Sequence, residues 1–180
     1  MDRGMVLGAL LTALWWGAAP AARAEAHWLE FSTAGGQPAI PLVLDRLDGT
    51  PLDLASLKGQ VVLLSFWATW CEGCREEIPA LNRLQEQFKP GRLRVLGVNV
   101  AEGKPRIAEF MEHIPIHYTV LRDVDSVAQK SWHIRVMPNT FLLDRNGMLR
   151  YQLVGEADWH DPKILGPLLE LLKKGPDSRL

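Results

Sequence analysis

The chain contains two cysteines, and both stand in the segment Trp70-Cys71-Glu72-Gly73-Cys74, directly after the apolar run Val61-Val62-Leu63-Leu64-Ser65-Phe66-Trp67. A C-x-x-C at a strand-to-helix boundary is where thiol-disulfide exchange needs its sulfurs. With Cys71 at the helix start and Cys74 one turn on, the pair can close a disulfide while the first sulfur stays exposed beyond the helix end. The unpaired N–H groups and the positive end of the helix dipole favour a thiolate at Cys71, and the thiolate is the attacking species. A mixed disulfide between Cys71 and a partner can then be resolved by Cys74.

Other uses of the motif compete with this one. A zinc site needs further ligands at short spacing, and the five histidines offer only the loose pair His113 and His117. Covalent haem attachment needs a histidine directly after the second cysteine, where Arg75 stands. A structural disulfide remains open, although it would close too small a loop to stabilise much.

The elements that must position the cysteines can be read from the apolar pattern. Residues 40–44 and 51–54 flank Asp48-Gly49, which predicts a hairpin of the two-residue kind. Lys58-Gly59 ends a connector before a buried strand over 61–67. From Glu72 the apolar positions Ile78, Leu81, Leu84 and Phe88 recur at helical spacing, with Pro90-Gly91 as the stop. The unbroken apolar run 93–100 predicts a central strand covered on both faces. A helix follows over 105–113 with Ile107, Phe110 and Met111 inward, then a short strand at 118–121 and a short helix at 126–132. Residues 140–143 and 149–154 around Asn146-Gly147 form a second hairpin, and 161–174 a closing amphipathic helix capped by Asp161-Pro162. Alternating strands and helices with a terminal hairpin predict an α/β sandwich with a mixed sheet.

The 180 residues, 47% hydrophobic with a net charge of −1, suit one domain with a proper core and carry no basic surplus for nucleic acid. The first 24 residues read as an export signal. Arg3 precedes an uncharged run over 5–19, then come Pro20 and Ala22-Arg23-Ala24, with cleavage expected before Glu25. An uncleaved membrane anchor is the alternative, since the uncharged stretch approaches a spanning length. Either way the C-x-x-C faces an oxidising compartment, and a periplasmic location is expected. Residues 25–39 then form an N-terminal extension and 40–180 the folded domain.

The stretch Phe66-Trp67-Ala68-Thr69-Trp70-Cys71-Glu72-Gly73-Cys74-Arg75-Glu76-Glu77-Ile78-Pro79, followed by Val136-Met137-Pro138-Asn139-Thr140-Phe141-Leu142-Leu143-Asp144, resembles the thioredoxin fold, and in particular the TlpA/ResA branch of exported thiol-disulfide oxidoreductases. The likeness runs from about residue 40 to the C-terminus, including the N-terminal β-hairpin and an inserted helix around 105–113. It implies a mixed central β-sheet flanked by helices, with Cys71 as nucleophile, Cys74 as resolving thiol and Trp70 beside the disulfide. Pro138 matches a cis-proline lying against the active site, which leaves the Met137 backbone free to pair with an extended client. Thioredoxins proper carry a buried Asp at the position of Ser65. ResA-like members instead place a glutamate three residues after the second cysteine, here Glu77, whose burial would raise its pKa into the range useful for proton transfer. A solvated helix glutamate like Glu76 is the competing reading.

One departure is Gly73, where the family has proline; it promises a freer backbone and puts the reduction potential in doubt. Glu72 between the cysteines disfavours the thiolate and so favours the disulfide, partly opposed by Arg75. The expected function is therefore reduction of client disulfides outside the cytoplasm, without metal or organic cofactor, by a monomer cycling Cys71 and Cys74. The resemblance implies a membrane electron donor of the DsbD or CcdA type. Apocytochrome c is the first client candidate and a copper-site cysteine pair of cytochrome oxidase the second. A disulfide oxidase or isomerase, and a metal-binding or chaperone module using the same cysteines, are the alternatives.

Overall fold

The computed structural model of the chain describes residues 26–31, 35–88 and 91–174; the expected leader and Pro90 lie outside them. Strands β1 (Trp28–Glu30), β2 (Gln37–Pro38), β3 (Val43–Arg46) and β4 (Pro51–Asp53) lead through a 3-10 turn at Leu54–Leu57 into β5 (Val61–Trp67). Helix α1 (Glu72–Gln87) and strand β6 (Leu93–Val100) come next, then α2 (Lys104–His113), β7 (Thr119–Asp123), α3 (Val127–Ser131), β8 (Asn139–Leu143), β9 (Met148–Val154) and α4 (Pro162–Lys173). They build one mixed sheet in the order β1-β9-β8-β5-β6-β7-β3-β4, with β2 also pairing β9. This is the thioredoxin-like α/β architecture, with the β3–β4 hairpin on one edge and α2 inserted between β6 and β7.

The central strands are apolar on both sides because both sides are covered. Val61, Leu63 and Trp67 of β5 join a core with α1, α2 and α4, while Val62, Leu64 and Phe66 join another with α3 and the 3-10 turn. On the second side Phe66, Trp132 and Phe141 pack ring against ring, with centroids 5.0 to 6.1 Å apart. Such contacts between offset and edge-on rings add to the gain from burial. Parallel pairing of β5 with β6, and antiparallel pairing with β8, leaves the C-terminal end of β5 beside the start of β8. The cysteine motif and the Met137-Pro138 segment are thereby brought to the same end of the sheet.

The first hairpin differs from its two-residue expectation, and the terminal hairpin shares its arrangement. The Arg46 amide donates to Thr50 O at 2.9 Å and the Gly49 amide to Arg46 O at 3.0 Å, so three residues make the loop; Asp144, Gly147 and Met148 repeat the arrangement. Gly49 and Gly147 take the left-handed conformation that closes such a loop, with φ of 89° and 77°. The aspartates complete it, Asp48 Oδ1 accepting from the Thr50 amide at 2.8 Å and Asp144 Oδ1 from that of Asn146 at 2.9 Å. The first expected strand also begins later, at Val43.

Gly97 in β6 matters for the site. A Cβ there would lie 2.8 Å from Tyr118 Cε2 and 2.9 Å from Trp67 Nε1, so the missing side chain is the space that these two rings occupy. Replacing Gly97 by Ala should displace both rings and cost about 1 to 3 kcal/mol. Urea unfolding of the variant checks this, and an unchanged midpoint would show that the rings have room to spare.

Candidate active site

Cys71 is the N-cap of α1, in extended backbone conformation, and its Sγ accepts the Cys74 amide at 3.3 Å. The helix therefore starts where the motif starts, and Glu72 lies in the first turn, where a carboxylate complements the dipole. Cys71 and Cys74 form a disulfide with S–S 2.01 Å and Cα–Cα 5.3 Å. Cys71 is buried apart from 7% of its surface and Cys74 apart from 3%, so the first sulfur is less open than its position at the helix end predicts. What lies open is the rim: Trp70 is 69% exposed and Val136 52%.

The Met137-Pro138 peptide bond is cis. The Pro138 carbonyl accepts from the Gly155 amide at 2.9 Å, whereas among the described residues the backbone of Met137 makes no hydrogen bond to another backbone group. The cysteines, Trp70 and the Met137-Pro138 segment thus meet at one end of the sheet. Ser65, at the position of the thioredoxin aspartate, is buried and accepts from the Thr140 hydroxyl at 3.1 Å.

Glu77 is buried to 3% exposure on the same helical face as Cys74, three residues earlier. Its Oε1 accepts from the Ala157 amide at 2.7 Å, while Oε2 finds no hydrogen-bond partner among the described residues. Burial dominates and pushes the carboxyl from its ordinary 4.5 up to about 8. The Ala157 bond and the nearby Trp159 indole pull the other way, although that indole N–H completes no hydrogen bond, and the charge of Glu156 adds to the rise. The phenol of Tyr118 is likewise pushed up, by burial and by Glu77. The solvated-glutamate reading is excluded by this burial.

Two groups of supporting residues were not foreseen from the sequence. Glu102, after β6, grips the loop that leads into Cys71: its carboxylate accepts from the Thr69 amide at 2.8 Å, the Thr69 hydroxyl at 2.6 Å and Asn99 Nδ2 at 2.7 Å. Arg106 Nε donates to Thr69 Oγ1 at 3.2 Å from α2. On the other side of the site Trp159 is buried behind Trp28, whose ring stands edge-on at 6.1 Å and whose Nε1 donates to Ile164 O at 2.9 Å. The contacts that reach the site carry no local signal, since Glu102 and Thr69 are 33 residues apart in the chain and Trp28 and Ile164 are 136 apart. Among the described residues no three His, Cys, Asp or Glu side chains are grouped to hold a metal ion, and no helix is long and apolar enough to cross a membrane.

A cysteine pair at the first turn of a helix, on a thioredoxin-like sheet and facing a cis-proline, defines a thiol-disulfide oxidoreductase whose redox group is its own disulfide. The chain belongs to the AhpC/TSA family, whose model matches residues 35–152. It is similar to the thiol-disulfide oxidoreductase ResA of Bacillus subtilis strain 168, at 31% identity over 82% of this chain and 80% of that protein. ResA of Geobacillus kaustophilus strain HTA426 is 32% identical over 72% of this chain and 75% of its own. Among solved structures, a Chlorobium tepidum protein assigned as thiol:disulfide interchange protein DsbE superposes with a TM-score of 0.71 at 30% identity, covering 78% of this chain and 99% of that one.

Two outcomes are expected. Below about pH 4.5 Glu77 is protonated in both folded and unfolded chains; between there and about 8 only the folded chain keeps the proton. Stability of the oxidised protein should therefore fall as pH rises through this window, by about 1.4 kcal/mol per unit from this group. Glu77→Gln should remove that slope, and denaturant midpoints from pH 5 to 8 that run parallel for both proteins would refute it. Glu102→Ala should speed amide exchange at Thr69 and Trp70 and cost about 2 to 3 kcal/mol, because it strands two donors of the loop and one of Asn99; unchanged exchange rates would count against the grip.

Proposed function

We propose that the protein reduces disulfides of client proteins outside the cytoplasm, with Cys71 as nucleophile, Cys74 as resolving thiol and Glu77 as the group that exchanges a proton with Cys74. The observation that carries this reading is the buried carboxyl of Glu77 one turn beyond Cys74. Its pKa of about 8 approaches that of a thiol, so a proton can pass between the two with little driving force lost.

The exchange runs in two steps. The Cys71 thiolate attacks one sulfur of the client disulfide, forming a mixed disulfide and releasing the other client sulfur as a thiolate, which takes a proton from solvent. Cys74 gives its proton to the Glu77 carboxylate and attacks Cys71 Sγ, expelling the second client sulfur. That sulfur leaves as a thiolate and also takes a proton from solvent, so the client gains two electrons and two protons, Glu77 holds the Cys74 proton, and Cys71–Cys74 is left oxidised. In the return direction a dithiol donor attacks the disulfide, and protonated Glu77 supplies a proton to the departing Cys74 sulfur. In an oxidising compartment that donor must be fed from the membrane, by a protein of the DsbD or CcdA type.

Direction is supported by charge. Glu72 lies inside the motif where a cation would stabilise the thiolate, and an anion there favours the disulfide form and hence a reductant. The exposed Trp70 and Val136 beside the open backbone of Met137 suit an extended client segment held by backbone pairing at Met137. An apocytochrome c with its closely spaced cysteines, before haem attachment, fits best; a copper-site cysteine pair in oxidase assembly is the second candidate. The N-terminal signal reading and the similarity to ResA support a periplasmic site of action, and a monomer with one such site suffices for the cycle.

The reduction potential, measured in dithiol/disulfide buffers with Trp70 fluorescence as reporter, tests the direction. A value near or below about −270 mV is expected. A value near about −120 mV, at the oxidant end of the scale, would instead make the protein a disulfide-forming or isomerising enzyme.

A further inference from the structure

Gly73 occupies the second position of α1, and its backbone is not in the left-handed region that calls for glycine. What its missing side chain provides is space. A Cβ on residue 73 would lie 3.1 Å from Glu156 Oε2, 3.2 Å from Glu156 Cβ and 3.4 Å from Glu156 Cγ. The Glu156 side chain, from the segment that follows β9, lies across the helix turn that carries both cysteines.

We propose that Gly73 and Glu156 work as a pair, the glycine admitting the Glu156 carboxylate to the rim of the disulfide, where Glu156 acts as a positioning residue for the exchange chemistry through Glu77. The inference rests on the reading of Glu77 as the proton-exchanging group. Gly155 to Trp159 touches the first turns of α1 in consecutive places: Glu156 over Gly73, the Ala157 amide on Glu77, and the Trp159 indole near the same carboxyl. Glu156 is thus held by its neighbour at the point where a second negative charge is felt by Glu77. Among the described residues, the charged or titratable groups from other elements that act on Glu77, or that it acts on, are Glu156 and Tyr118, and on its own helix the reduced protein adds Cys71 and Cys74. Glu72, Arg75 and Glu76 of the same helix point to solvent.

A like charge on this rim makes the Glu77 carboxylate a costlier species, so Glu77 keeps its proton to higher pH and takes one from a thiol less readily. A side chain at position 73 would crowd Glu156, which must give way by a few tenths of an ångström, and so weaken that effect. The exposed Glu156 is screened by water, which limits its influence to a several-fold change and not an on-off switch.

The test is the pH dependence of thiol alkylation by iodoacetamide in the reduced protein, for wild type, Glu156→Gln, Gly73→Ala, Glu77→Gln and the Glu77→Gln/Glu156→Gln double variant. Glu156→Gln should raise the rate at pH 7 about threefold by moving the profile to lower pH, and Gly73→Ala should do the same with the charge retained but displaced. The gain from Glu156→Gln should vanish in the Glu77→Gln background. A Glu156→Gln profile that superimposes on wild type overturns the proposal, and so does a gain that persists without Glu77. If Glu77→Gln alone leaves the wild-type profile unchanged, the proton-exchange reading fails first and takes the proposal with it.

Discussion

A carboxyl group enclosed by apolar side chains behind a disulfide, with one backbone amide as its hydrogen-bond partner, constrains the architecture around it. Taken alone, burial of Glu77 opposes folding at neutral pH; the Ala157 amide offsets part of that cost and fixes where the segment after β9 must run. That one bond joins residues 80 apart in the chain and ties the cysteine helix to the far end of the fold. Trp159 and Tyr118 close the remaining sides, and Trp28 braces Trp159 from behind. In the proposed reaction this carboxyl is a proton store one helical turn from the sulfurs, and the packing around it keeps it out of water.

The sheet makes this possible through a division of labour between its two faces. The face under α3 is filled by Phe66, Trp132 and Phe141 in mutual contact and carries no ionisable side chain of the site. The face under α1 and α4 receives Cys71, Cys74 and the rings of Trp67 and Tyr118, for which β6 gives up a side chain at Gly97. A central strand with a glycine loses packing and backbone order locally, and it gains the room in which aromatic groups can stand next to an ionisable one.

Much of this was legible in the residues themselves. The apolar runs at Val61–Trp67 and Leu93–Val100 stood out because both faces of these strands are covered, and α1 because Ile78, Leu81 and Leu84 keep helical spacing. The cysteine pair was read from its spacing, and Met137-Pro138 and Glu77 were singled out through the resemblance to the TlpA/ResA branch. Glu102 and Glu156 were not, because an acidic residue that holds a loop or fills a gap in three dimensions has the same sequence neighbourhood as one facing water. Gly73 was read for its backbone freedom alone, because the Glu156 side chain beside it comes from a segment more than 80 residues further along the chain. The short β1 and β2 escaped because two or three residues carry no period, and the first hairpin loop was taken one residue short because the glycine that closes it sits at the third place and not the second.

The grip of Glu102 on Thr69 has a consequence for what the protein can accept. Three donors converge on one carboxylate, two of them from Thr69, so the loop bearing the exposed Trp70 is tied down although it lies at the surface, which stiffens it. A stiff rim loses little freedom when something settles on it, and the ordering that association demands falls almost entirely on the incoming chain. A chain that is still unfolded can meet that demand by laying a short stretch along the rim, whereas a finished domain would first have to open. If clients dock on this rim as proposed, the surface favours chains whose folding is unfinished over mature domains.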